Sequence, residues 1–321
     1  MKQAIILALA LAVPSIRADV TIRYQSEFQP SAALAPMMGQ LAKSMQAASA
    51  TSIRVKDNKA YTAQGNWIQL FDFVKKEVTL VDPETKTFAT FPIEQLSDKL
   101  AGALPQPKST QSPDVQQALA SIKSQVDSKA TGKTAEIMGV QAEEREITIT
   151  MDLPLMAAQA GPGLKLVMHI WNARKEEALR VPAIRELTGY QAWQRYVMNP
   201  TGMLDKMFAK LPGMSNTFTP MFEEMCKNPS VILRMRMEMY VPFLAAFAKR
   251  SAGQGQASAA DPDAPAMSVT QEVAELSSAP VDASLFEVPK DYTVVSADEI
   301  IGKMLKARTA AAAPSPAPSP K

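Results

Sequence analysis

Few residues in this chain have side chains suited to covalent or acid–base chemistry. The 321 residues include one histidine and one cysteine. His169 lies in the apolar run Leu164 to Trp171, and Cys226 has no base near it in sequence. A lone histidine among apolar residues reads as structural, and an isolated thiol reads as a small buried hydrophobe. There is no glycine-rich phosphate loop, no zinc-ligand spacing and no nucleophile elbow. Glu143, Glu144 and Glu146 flank Arg145 and read as a solvated acidic cluster. The expectation is a protein that is not an enzyme and that carries no cofactor and no structural metal.

Methionine is the exception. The chain has 19, and the stretch from Met198 to Met239 is dense in them. Met203, Met207, Met221 and Met225 recur at helical spacing; Met235, Met237 and Met239 alternate along a strand. Thioether side chains are flexible and apolar and repack around varied shapes, so such a set suits a deformable lipid-binding surface. The M-x-M pattern on a strand also brings soft ligands together, as a Cu(I) site requires.

These residues need elements to hold them. Ser52 to Pro92 is broken by turn formers at Asp57-Asn58, Gly65-Asn66, Lys75-Lys76 and Asp82-Pro83-Glu84-Thr85, with β-branched and aromatic runs between. That spacing predicts an antiparallel meander. Trp67, Phe71 and Phe73 share one parity and Ile68 and Leu70 the other, so the sheet must be covered on both faces. Strands are also predicted at 20–28, 134–138, 144–153, 164–171, 231–240 and 267–276. In 231–240, Leu233, Met235, Met237 and Met239 alternate against Arg234, Arg236 and Glu238. Helical periodicity marks 31–49, 93–104, 114–127, 179–198, 201–211, 217–226 and 294–305. The last of these has Ser296 and Glu299 in capping-box spacing.

Met1 to Ala18 has one lysine, an apolar run from Ala4 to Val13 and a small residue at its end, which predicts a secretory signal peptide cut after Ala18. The chain counts 34 basic and 32 acidic residues. Loss of Lys2 and Arg17 with the leader leaves no net charge and no electrostatic reason to bind nucleic acid. No later apolar run is long enough to span a membrane. Residues 252–266 read as a mobile loop joining neighbouring strands, and 307–321 as a disordered Ala/Pro-rich tail.

Three segments resemble a family: D-P-E-T-K-T-F at Asp82 to Phe88, T-A-E-I-M-G-V at Thr134 to Val140, and S-L-F-E-V-P-K-D-Y at Ser284 to Tyr292. W-N-A-R-K at Trp171 to Lys175 fits the same order. Together they look like the periplasmic domains similar to LolA and LolB, the outer-membrane lipoprotein carriers. The resemblance implies one α+β domain over 19–306, a strongly curved antiparallel sheet (a half-open barrel) with helices packed across its concave face. Against that pattern, 179–226 reads as a helical insertion. It also implies an apolar cavity between sheet and helices that takes a lipid or a lipoprotein acyl chain.

The expected function is therefore a non-enzymatic periplasmic protein holding a hydrophobic ligand. The expected cavity lining is Trp67, Phe71, Phe73, Met203, Met207, Met235, Met237 and Met239. Two other readings are an envelope structural module with a closed core and a protein partner, and a methionine-rich Cu(I)-binding protein.

Overall fold

The computed structural model describes residues 19–31, 35, 50–103, 122–152, 163–198, 219–221, 223–225, 227, 230–241 and 264–312. The expected signal peptide, the helices at 31–49 and 201–211, the loop at 252–263, the end of the tail, Cys226, Met203 and Met207 lie outside these residues.

The strands are β1 (Val20–Pro30), β2 (Thr51–Lys56), β3 (Lys59–Gln64), β4 (Trp67–Asp72), β5 (Glu77–Asp82), β6 (Thr87–Pro92), β7 (Lys123–Ile137), β8 (Val140–Asp152), β9 (Leu164–Ala173), β10 (Ile232–Tyr240), β11 (Met267–Ser277) and β12 (Thr293–Val294). The helices are α1 (Leu96–Ala103), α2 (Glu177–Arg180), α3 (Pro182–Met198) and α4 (Ala297–Ala312). All twelve strands form one sheet in the order β12-β6-β5-β4-β3-β2-β1-β11-β10-β9-β8-β7. Two antiparallel meanders, β1–β6 and β7–β11, become one sheet because β11 pairs antiparallel with β1. Only the short β12 pairs parallel, on β6. Loop 252–266 does join neighbouring strands, β10 and β11.

This is an open, mixed twelve-stranded sheet, which corrects the expected half-open barrel with helices across its concave face. One cause lies in residues 123–133. Residues 123–127 were expected to end a helix, because Val115, Leu119, Ile122 and Val126 keep a helical period, and no strand was expected before Thr134. Instead they begin β7, a 15-residue edge strand paired along β8, with Val126 opposite Ile149 and Ser128 opposite Ile147. Pairing with a strand distant in sequence overrides a local period. A segment expected to cover the sheet thus widens it. The expected helix 179–198 is also divided at Val181, ahead of Pro182.

The early meander follows its turn chemistry. Asp57, Gly65, Lys76 and Lys86 all have positive φ at the reversals. Asp82 accepts hydrogen bonds from the Glu84 backbone N–H at 3.0 Å and the Thr85 hydroxyl at 2.7 Å, holding the Asp-Pro turn. Cross-strand partners share a face, and Val20, Val55, Ala60, Phe71, Val78 and Phe91 form one buried row across β1–β6. Ile184, Leu187 and Tyr190 of α3, Leu96 of α1, and Ile300 and Ile301 of α4 pack into the same cluster. The capping expected for α4 is present: Ser296 Oγ accepts from the Glu299 N–H at 3.1 Å. The other face of this half is only partly apolar: Leu70 lies beside Phe286 and Val288 at the turn Ala283–Phe286, but its row continues through Tyr61, Thr79 and Thr90.

Candidate functional site: a methionine face and a basic cleft

The second meander has its own core. Ile147, Ile149, Met151, Met168, Ile170 and Met221 are buried together, with Val126, Leu164, Leu166, Met225, Ile232, Met235 and Met237 partly buried against them. The register shows how the sequence assembles it. Ile147 pairs with Met168, Met168 with Met237, Met237 with Val269, and Val269 with Phe28. This apolar row crosses five strands on one face. The next row runs Val126, Ile149, Leu166, Met239, Met267 and Pro30. Alternation along each strand places these side chains on one side, and register aligns them.

The opposite face of the same strands is polar. One row there is Lys129, Glu146, His169, Arg236, Thr270 and Glu27. His169 is thus on the polar face of its strand. Its Nδ1 lies 3.0 Å from Glu144 Oε1 and 3.9 Å from Glu146 Oε2. Glu144, expected to be solvated, is buried. Its Oε2 accepts from the Thr131 hydroxyl at 2.7 Å and sits 3.2 Å from Lys133 Nζ. Burial opposes ionisation of Glu144, but the hydrogen bonds from Thr131 and Lys133 and the Lys133 charge outweigh it, so its carboxyl is held below the ordinary range. The hydrogen bond from Lys129, aided by that residue's charge, likewise lowers Glu146 against the opposing effect of burial. The Thr131 to Lys133 contacts come from a register shift between Ala130 and Thr134, where Gly132 has a φ of 75°. These groups lock an edge strand to its neighbour, and Glu144 also reaches the cleft described next.

Along β8 the methionine face ends at Arg145, one step beyond Ile147 on the same side. Arg145 Nε donates to Ser128 Oγ at 2.7 Å, and its Nη2 donates to Glu224 Oε2 at 2.6 Å. Glu224 also holds Lys227, so two cations share one carboxylate. Here a cleft of about 490 Å³ opens, lined by Glu143, Arg145, Asn172, Arg174, Lys175 and Lys227 among others. Arg174 Nε lies 2.8 Å from Glu143 Oε1. Two smaller clefts, of about 340 and 310 Å³, lie by Phe286 and Glu287 against β3 and β4.

The structure divides the expected cavity lining in two. Phe71 is 2% exposed, in the middle of its packed row. Trp67 and Phe73 are partly buried against the same first cluster, and Phe73 stacks on Tyr190 at 5.8 Å. Met235 and Met237 belong to the second cluster, and Met239 sits one row on. Aromatics and methionines therefore do not line one cavity. Leu233 also leaves the expected methionine row. A register shift between Ile232 and Arg234 puts Leu233 in the first cluster, while Ile232, Met235 and Met237 pack in the second.

Sequence reasoning missed Met151, Met168 and Arg145 as members of this surface. Met151 and Met168 were legible as apolar strand residues, but what brings them to Met237 is pairing across strands. Among the described residues no group of three or more His, Cys, Asp or Glu side chains is placed to hold a metal ion. No described helix is long and apolar enough to cross a membrane. Compared with known proteins, the chain matches no family model and no curated protein.

Proposed function

We propose that this chain is a non-enzymatic envelope protein that binds a hydrophobic ligand, an acyl chain, against the methionine face of β8–β10. The reading rests on one observation: apolar rows in register across β7–β11, rich in methionine and only partly buried at Leu164, Leu166, Met235 and Met237. Thioethers on such a surface conform to a chain of variable shape. Placement in the periplasm rests on the leader-like Met1 to Ala18.

The test is native mass spectrometry of protein purified from expressing cells without added lipid, followed by organic extraction. A co-purified acyl lipid is expected. Met237→Glu, at the centre of the face, should reduce uptake of the uncharged probe Nile red by tenfold or more, about 1.4 kcal/mol, with an unchanged circular dichroism spectrum. Protein that carries no lipid and takes up no probe would reject the reading.

A further inference from the structure

The polar end of the methionine face has a charge pattern that the apolar rows do not require. We infer that the cleft at Arg145, Arg174, Lys175 and Lys227 receives the anionic headgroup of a single-chain amphiphile whose tail lies on the methionine face. This rests on the apolar-ligand reading above and adds the headgroup.

Placement comes first. Arg145 follows Ile147 and Ile149 along one side of β8; Asn172 follows Ile170 and Met168 along the same side of β9, since Asn172 and Glu143 are register partners. Headgroup cleft and tail surface are therefore consecutive stretches of one sheet face. From Arg145 to Met151 is about 20 Å of strand, at ~3.3 Å per residue, the length of a fatty acyl chain; Ile147 and Ile149 are buried there, so the tail takes the place of the Met221 and Met225 cover. Described residues between 219 and 227 reach both parts. Met221 and Met225 pack on the apolar rows, while Glu224 and the following Lys227 meet the cleft.

Charge comes second. The cations Arg145, Arg174, Lys175 and Lys227 line the cleft. Glu143 answers Arg174, and Glu224 answers both Arg145 and Lys227. Glu144, also at the cleft, is already engaged by Lys133, Thr131 and His169. Lys175 is exposed and has no acidic partner among the described residues. The cleft thus keeps an excess of positive charge in a mature chain expected to be neutral. A carboxylate or a phosphate monoester joined to an alkyl tail satisfies both halves at once. An uncharged head leaves the excess unanswered, and a free anion leaves the tail surface empty.

The experiment uses the delipidated mature chain and displacement of Nile red. Monododecyl phosphate and lauric acid carry the anionic head, 1-monolauroylglycerol has the same chain with an uncharged head, and inorganic phosphate has no chain. The two anionic amphiphiles should bind about tenfold more tightly than the glycerol ester, as a few partly exposed ion pairs allow. Added salt should narrow that gap. Lys175→Glu, at an exposed position that should not disturb folding, should abolish the preference for the anionic heads. Lys227→Glu should do the same from the helical side.

Equal affinity for charged and uncharged heads overturns the headgroup site and leaves the apolar-ligand reading standing. So does a preference that survives both charge reversals. Inorganic phosphate binding as tightly as monododecyl phosphate would mean an anion site unconnected to the face. If no amphiphile displaces the probe, the apolar-ligand reading falls and the headgroup site with it.

Discussion

At the residue scale, Glu144 concentrates the electrostatics of the second meander. Its side chain is 4% exposed and contacts Thr131, Lys133 and His169. Its carboxyl is held below the ordinary value of 4.5. A carboxyl depressed in the folded state stabilises the fold above its unfolded pKa, and that contribution is lost as pH falls through the folded value. Glu146 and Glu224 are shifted in the same direction, Glu146 by Lys129 and Glu224 by Lys227. The protein should therefore lose stability in acid, below about pH 4.5. Glu144→Gln should cost about 1–3 kcal/mol near neutrality, as loss of a buried charged hydrogen-bond partner does. It should also flatten the acid limb, because part of the proton linkage is removed. Melting temperature followed by circular dichroism from about pH 7 to pH 3 decides this; a variant with wild-type stability and an unchanged acid limb contradicts it. None of this was legible from the run Glu143 to Glu146, where alternation alone cannot say which carboxylate meets a bulge from the next strand.

At the element scale, local signals were read well and nonlocal ones were not. The turns of β2–β6 are encoded in Asp, Asn, Gly and Pro at the reversals, and the start of α4 in Ser296 and Glu299. β7 was misread because the helical spacing of Val115 to Val126 is a property of one segment, whereas its strand state depends on β8. β10 was read correctly as a strand but not for its bulge. At that bulge Arg234 makes a two-point contact with Glu272 on β11, both bonds at 2.8 Å, and lies 5.8 Å from the centre of the Trp171 ring on β9. A planar guanidinium spans the three strands where the register shifts. Lysine cannot make the paired bonds, so Arg234→Lys should cost up to about 1 kcal/mol, the upper range for partly exposed pairs. Leu233→Ala, at a fully buried bulge position, should cost about 2–5 kcal/mol. Chemical denaturation of both variants checks the order; a larger loss from Arg234→Lys than from Leu233→Ala would mean that the ion pair, rather than the packing of Leu233, holds the bulge.

At the scale of the whole molecule, one sheet carries two cores. Among the described residues, the first cluster, under α1, α3 and α4, holds 25 buried residues and the second holds six. The first cluster also takes in Ile137, Val140, Ala142 and Ala173 of β7–β9 and Leu233 of β10, so the second meander contributes to both, while Phe28 and Val269 carry the methionine row across the β1–β11 pair. A small core with a partly exposed rim opens at lower free energy than a large one covered by helices. That asymmetry suits the proposed binding surface, since the half proposed to admit a ligand is the half with less to lose. Native-state hydrogen exchange should show the amides of residues 147–151 and 164–170, under the second cluster, opening at lower free energy than those of β3–β5. Phe71→Ala, in the middle of the buried row, should remove about 3–5 kcal/mol from the first half. Protection of the amides of residues 147–151 and 164–170, which already open by a lower-energy local route, should change by less than about 0.5 kcal/mol while that route remains below global unfolding. Equal loss in both halves would make the sheet a single cooperative unit and remove the argument that the methionine half is free to move for its ligand.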